Sequence, residues 1–300
     1  MMKNKSIQKK KDLLFYILLL AWPITQFCVF YIGVNFNSIL MAFQNYDMTT
    51  GKSTFVWFAN FRELFYNLAN DPLYITAIEN SFKLWGVGLL VSMPIGLLFS
   101  YYIYKKRPLG AFFHVILFIP SIISSMVLAL MYQYFTDLYL PNIINKIFDA
   151  QMQGMFTNLD TVFYAVILYG VWFGFGTSTL LYLGAMKGIS ESVVEAAKID
   201  GANVWQEFFY VILPQIFSTI SVFLVMGIAG IFVNQAALFE FFGPNVENRN
   251  YTVGYFLFVR AYTSESMYNY LSAMGLTITV IVAPLCIGLR KLFQKIDPMN

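Results

Sequence analysis

Between Glu195 and Pro214 the chain reads EAAKIDGANVWQEFFYVILP. The segment is short, charged and broken by Gly201, and it lies between two long apolar runs. Residues of these types at this spacing suit recognition rather than bond-breaking. Glu191, Val194, Ala197 and Lys198 recur at helical spacing, and Ser190 is expected to cap the start with its side-chain oxygen. Ala196 and Ala197 are small, so a partner surface could approach the backbone there. Gly201 can take a left-handed conformation that ends a first short helix and turns the chain. Val204, Trp205, Phe208 and Phe209 give a second short helix an apolar face, and Pro214 suits a break before the next apolar run. The expected product is a helix pair, lying along a membrane surface over about residues 190–210, that docks into a groove of a partner.

Other residues that invite chemistry offer less. His114 is the only histidine, and no carboxylate is close to it in sequence. An acid–base pair or a metal constellation would need more than this. Gly51-Lys52-Ser53 resembles the end of a nucleotide-binding loop, but that loop requires a glycine five residues before Gly51, where Tyr46 stands. Cys28 and Cys286 each sit inside an apolar run and show no metal-ligand spacing.

The elements that must carry the Glu195–Pro214 segment are apolar. Of 300 residues, 58% are hydrophobic, 19% aromatic and only 12% charged, where soluble domains carry roughly 25% charged residues. This composition specifies an all-α integral membrane protein with one membrane domain over 1–300. Six runs are long enough to span a bilayer, near 13–34, 81–104, 111–134, 161–186, 211–233 and 270–291. The first follows Lys3, Lys5, Lys9, Lys10 and Lys11. It is longer than a secretory apolar core and no small-residue cleavage site closes it, so an uncleaved first span is expected. Pro23, Pro94, Pro120 and Pro284 fall inside spans, where kinks are tolerated. Gly86, Gly88, Gly96, Gly170, Gly174 and Gly176 are expected to permit close helix approach.

Orientation follows from the basic residues. The N-terminal lysines, Lys105-Lys106-Arg107, Lys187, Lys198, Arg290, Lys291 and Lys295 collect on one side. Lys52, Arg62, Lys83, Lys146, Arg249 and Arg260 lie on the other side or near outer helix ends. Both termini and the Glu195–Pro214 segment are therefore expected in the cytoplasm. The remaining segments, near 35–80, 135–160 and 234–269, are rich in Asn, Tyr and Phe and are expected to form short helices and packed caps.

The Glu195–Pro214 segment resembles the EAA loop of permease subunits of bacterial ABC importers. FVWFANFRELF (55–65), Asn80-Ser81, RPLGAFFHVILFIP (107–120) and GIFVNQAALFEFFGP (230–244) more loosely resemble the carbohydrate-importer branch, which includes the larger maltose-transporter permease and the glycerol-phosphate permease. The chain departs from that pattern at Ala59, His114 and Phe242. The resemblance implies the six-span type I permease fold, with Glu195, Ala196, Ala197, Asp200, Gly201 and Pro214 as motif residues of a coupling helix pair. It also implies a second homologous permease, two ATPase subunits that bind ATP and magnesium, an extracytoplasmic binding protein, and residence in the bacterial cytoplasmic membrane. The chain itself would need no cofactor, catalyse nothing and bind no nucleic acid. The glycosylation sequon Asn250-Tyr251-Thr252 would be idle.

Polar groups inside spans are expensive and usually functional. Asn234 and Gln235, at the outer end of the fifth run, are the leading substrate candidates, and Asn234 falls where the branch often carries Asn or Asp. A sugar requires amide hydrogen bonds and aromatic faces, which Tyr132, Gln133, Tyr169 and Trp172 could add. A phosphorylated solute is the alternative substrate, although cationic residues within spans are scarce. An ion-coupled carrier would need ionisable groups there, and the runs hold almost none.

Overall fold

The computed structural model describes residues 15–297. The N-terminal lysines and the first residues of the 13–34 run lie outside the described residues. Four helices are long and apolar enough to cross a membrane alone: Phe15–Ala42, Pro72–Tyr104, Val162–Lys187 and Glu265–Ile296. Two more pairs qualify only jointly. Gly110–Pro120 and Ser125–Phe148 meet at 105°, and Val204–Gln215 and Phe217–Gly230 meet at 70°. By length and composition the described residues therefore hold four helices able to cross a membrane, or up to six if each bent pair counts as one.

Both bends correct the expected boundaries. The run near 111–134 is not one straight helix, because Ile123 and Ser124 adopt extended backbone just after Pro120. The helix runs through Pro120 to Ile122 before it breaks, and uniform apolarity hides such a break. The run near 211–233 loses its first turn to the preceding arm, since the chain bends at Ile216, two residues after Pro214. Pro94 causes no such break. A π-helical stretch, Gly88–Ser92, precedes it, and one wide turn of this kind relieves a crowded ladder.

The described residues divide into two compact units, 15–67 with 264–277 and 68–263 with 278–297. In the first, Asn60 donates to the carbonyls of Ala42 and Gln44, each at 2.9 Å, and Asn269 donates to Met41 O at 3.0 Å. Strands β1 (Gln44–Asp47) and β2 (Lys52–Phe55) form an antiparallel hairpin with Gln44 opposite Phe55. Apolar periodicity gave no sign of this hairpin. Asp47 accepts from Thr49 N, Thr49 Oγ1 and Thr50 Oγ1, and these bonds hold its carboxyl down at about 2. Gly51 closes the turn at φ +65°. Gly51-Lys52-Ser53 is thus hairpin chemistry.

In the second unit the 72–104 and 162–187 helices pack closely through small residues. Ser100 Oγ donates to Thr179 O at 2.9 Å, and a Cβ on Gly96 would lie 3.1 Å from Ser178 Oγ. Gly176 lies against the 110–122 helix, where a Cβ would meet Leu117 O at 2.5 Å. Gly86, Gly88, Gly170 and Gly174 have nothing within 4 Å of such a Cβ. Only Gly96 and Gly176 of the six therefore act as close-packing glycines. Separate short helices are present in the 234–269 segment as Leu238–Phe242 and Val253–Thr263, whereas Leu140–Phe148 continues the Ser125–Phe148 helix.

Candidate functional site: a helix pair and an internal cavity

The Glu195–Pro214 segment folds as a helix, a glycine turn and a second helix. The first helix, Glu191–Ile199, ends in a Schellman motif: Gly201 N donates to Lys198 O at 3.1 Å and Ala202 N to Ala197 O at 3.0 Å. Gly201 stands at φ +78°, where a side chain is strained. The second helix opens one residue later with a capping box. Asn203 Oδ1 accepts from Trp205 N and Gln206 N, while Gln206 Oε1 accepts from Asn203 N at 2.9 Å. Stop and start signals sit back to back, so the angle between the helices is set by hydrogen bonds.

Two local expectations need correction. Ser190 does not cap the first helix; its hydroxyl pairs with Ser192 Oγ at 2.8 Å. Ala197 is buried against its own chain with Val194, because the i, i+3 stripe faces inward. Ala196, Glu195, Asp200 and Gly201 face solvent. Ile199, 86% exposed, and Trp205, 61% exposed, add an apolar surface that no part of the described chain covers.

The pair is rooted on the ends of long helices. Tyr101, Met186, Val194, Phe208, Ile212 and Ile216 form one core cluster. The Tyr101 ring packs at 4.9 Å on Phe208, tilted by 42°, and its hydroxyl donates to Val204 O at 3.2 Å. Lys105 Nζ lies 2.8 Å from both oxygens of Glu207, whose side chain is only 4% exposed. This ion pair joins the end of the 72–104 helix to the second short helix. Sequence reading assigned Lys105 to topology alone and passed over Glu207, Asn203 and Gln206. The Asn-x-x-Gln spacing of the cap was legible, whereas the pairing across 102 positions was not.

The substrate candidates divide between two places. Asn234 lines a cavity of about 500 Å³ with Ser81, Trp85, Tyr182 and Phe223. Its Oδ1 accepts from Ala236 N at 2.8 Å. A hydrogen-bonded frame holds this turn. Asn80 donates to Arg249 O and Tyr251 O, Ser81 Oγ accepts from Val253 N, and Thr252 Oγ1 donates to Asn234 O at 3.0 Å. A Cβ on Gly254 would lie 2.6 Å from Asn234 O. Gly254→Ala should therefore displace the Asn234 turn and lower the unfolding temperature of the protein; an unchanged melting curve would show that the turn absorbs the extra Cβ. The frame also buries Asn250 and Thr252, leaving the sequon closed.

Tyr132, Tyr169 and Trp172 come together elsewhere. Tyr132 lies 5.2 Å from Tyr169 and 6.2 Å from Trp172, and Phe241 packs on Tyr169 at 5.0 Å. Tyr132 Oη donates to Ala165 O, and Tyr169 is 3% exposed. The two tyrosines thus serve packing, and of the three rings only Trp172 is exposed. Gln133 and Gln235 are half-buried and line neither the Asn234 cavity nor this ring cluster. The aromatic rings that share the Asn234 cavity and keep part of their surface open are instead Trp85 and Phe223, both half-buried, which the sequence did not single out; Tyr182 in its wall is as buried as Tyr169. Helical spacing from Ser81 to Trp85 was the available signal.

Residues 92–299 match the family described as binding-protein-dependent transport system inner membrane component. A probable ABC transporter permease protein, YurN of Bacillus subtilis, is 27% identical over 91% of this chain and 94% of its own. The arabinooligosaccharides transport system permease protein AraP of the same organism is 24% identical over 86% and 82%. The crystal structure of a bacterial ABC transporter involved in import of the acidic polysaccharide alginate contains a chain of the same fold. That chain is 22% identical and aligns with a TM-score of 0.79 over 98% of this chain and 99% of the other. With a family match across more than half its length, the chain belongs to the binding-protein-dependent transport system inner membrane components.

Proposed function

We propose that this chain is one permease subunit of a bacterial ABC importer for a sugar or oligosaccharide. It forms a single six-span membrane domain, each bent pair crossing once, with both termini in the cytoplasm. The observation that carries this reading is the solvent-facing helix pair, fixed by the Schellman motif and capping box and rooted through Lys105–Glu207. Glu195, Ala196, Asp200 and Gly201 face an ATPase subunit, while Ala197 and Pro214 shape the pair from within. ATP-driven closure of the ATPase dimer moves this pair, and Tyr101, Phe208 and the ion pair pass the displacement to the spanning helices. The drive comes from contacts that differ between the two ATPase states.

A second related permease completes the pathway, two ATPase subunits hold ATP and magnesium, and an extracytoplasmic binding protein delivers the substrate. The sugar assignment is supported by the arabinooligosaccharide relative and by the alginate transporter's shared fold. Asn234, Trp85 and Phe223 offer the amide and aromatic surfaces that a sugar needs. Purification of the chain from native membranes in mild detergent is expected to recover a P-loop ATPase and a second permease. Neutral sugars should then compete for uptake, whereas glycerol phosphate should not. Recovery of the intact chain alone would favour a self-sufficient carrier.

A further inference from the structure

A basic cleft lies beside the helix pair, where the 72–104, 110–122 and 162–187 helices end. Lys106, Arg107, Lys187 and His114 border one cavity of about 540 Å³. Ile103, Leu109 and Ile189 line its apolar part, and Glu191 is its only acidic lining residue. Lys105 next door is paired with Glu207, but no ion pair among the described residues involves Lys106, Arg107 or Lys187. The turn that presents two of these cations is held in place. Lys106 and Leu109 stand at φ 50° and 61°, a conformation that non-glycine residues keep only when the surroundings impose it. Gly110 N donates to Arg107 O at 3.0 Å and Tyr102 Oη to Pro108 O at 2.7 Å. Gly110 and Ala111 of the lining begin the 110–122 helix, whose start no side chain caps.

We propose that this cleft binds the phosphate headgroup of an anionic phospholipid from the cytoplasmic leaflet. Lys106, Arg107 and Lys187 hold the phosphate, and the proximal acyl carbons lie on Leu109 and Ile189. Three cations against one carboxylate select negative charge, and cationic pockets between spanning helices on the cytoplasmic side suit such headgroups. The apolar lining favours a lipid over free phosphate. Glu191 is also the first residue of the first short helix, so an occupied cleft steadies that helix at its root. The assignment rests on the cytoplasmic placement of the helix pair.

The test uses the assembled importer, purified in detergent and reconstituted in phosphatidylcholine vesicles with or without phosphatidylglycerol. Native mass spectrometry of the detergent-purified complex should find phosphatidylglycerol retained by the wild type and lost from the Lys106→Gln/Arg107→Gln/Lys187→Gln variant. Each cation removed should weaken retention roughly fivefold. Phosphatidylglycerol should raise coupled uptake in the wild type and leave that variant unaffected. Lys106→Arg/Lys187→Arg should behave as the wild type, as should Lys291→Gln/Lys295→Gln outside the cleft. Equal lipid retention by wild type and triple variant overturns the proposal. So does inorganic phosphate reproducing the effect in pure phosphatidylcholine, which would make this a free-phosphate site. Should no ATPase subunit accompany the wild type, the importer reading fails separately, because lipid retention can still be measured on the chain alone.

Discussion

In the proposed importer, Gly201→Pro is expected to cut substrate uptake at least about tenfold while the protein still inserts and the ATPase subunits still hydrolyse ATP. Proline fixes φ near −65°, but Gly201 stands at +78°. The substitution also removes the N–H that donates to Lys198 O and pushes Asp200 out of its helical conformation. The turn must therefore rearrange, and the two short helices lose their fixed angle. Each 1.4 kcal/mol lost from the docked arrangement lowers its population about tenfold, so uptake should fall by roughly that factor or more. Graded replacements separate geometry from general damage. Gly201→Ala should cost about 1–2 kcal/mol and Gly201→Asn less, because Asn tolerates left-handed backbone. Uptake should then rank Gly, Asn, Ala, Pro. Normal uptake by Gly201→Pro would remove the helix pair from the mechanism.

Breaking the Lys105–Glu207 pair should have the other large effect. Glu207 is 4% exposed at its side chain and Lys105 17%, so removing either partner leaves a charge stranded in poorly solvated surroundings. Such losses cost about 3–5 kcal/mol, whereas replacing both partners with apolar residues is often nearly neutral. Glu207→Ala and Lys105→Ala should therefore each lower the unfolding temperature of the complex. The double variant Lys105→Met/Glu207→Leu should recover much of that stability. If the pair also transmits motion, the double variant will remain stable yet hydrolyse ATP with reduced uptake. Full recovery of uptake would make the pair a structural tie only. The exposed Lys83–Glu79 pair is a useful control, since surface pairs contribute about 0–1 kcal/mol.

The sequence by itself determined the class of protein, the helix-glycine-helix segment and the family resemblance. These depend on local quantities. Runs of apolar side chains report burial in lipid wherever they later pack, and Gly201 states its conformational freedom in a single position. The tertiary structure decided which of these residues act together. It turned Ala197 inward and drew Tyr132 and Tyr169 into a packed ring cluster. It set Trp85 on the same cavity as Asn234, and it closed Lys105 on Glu207. Each outcome depends on which helices become neighbours and how each is rotated about its axis. In a chain this apolar, every face of a spanning helix resembles the others, so sequence periodicity carries little rotational information. The two bends had the same cause. Pro120 and Pro214 were visible, but only the packed helices decided that the chain would turn near them and continue straight past Pro94.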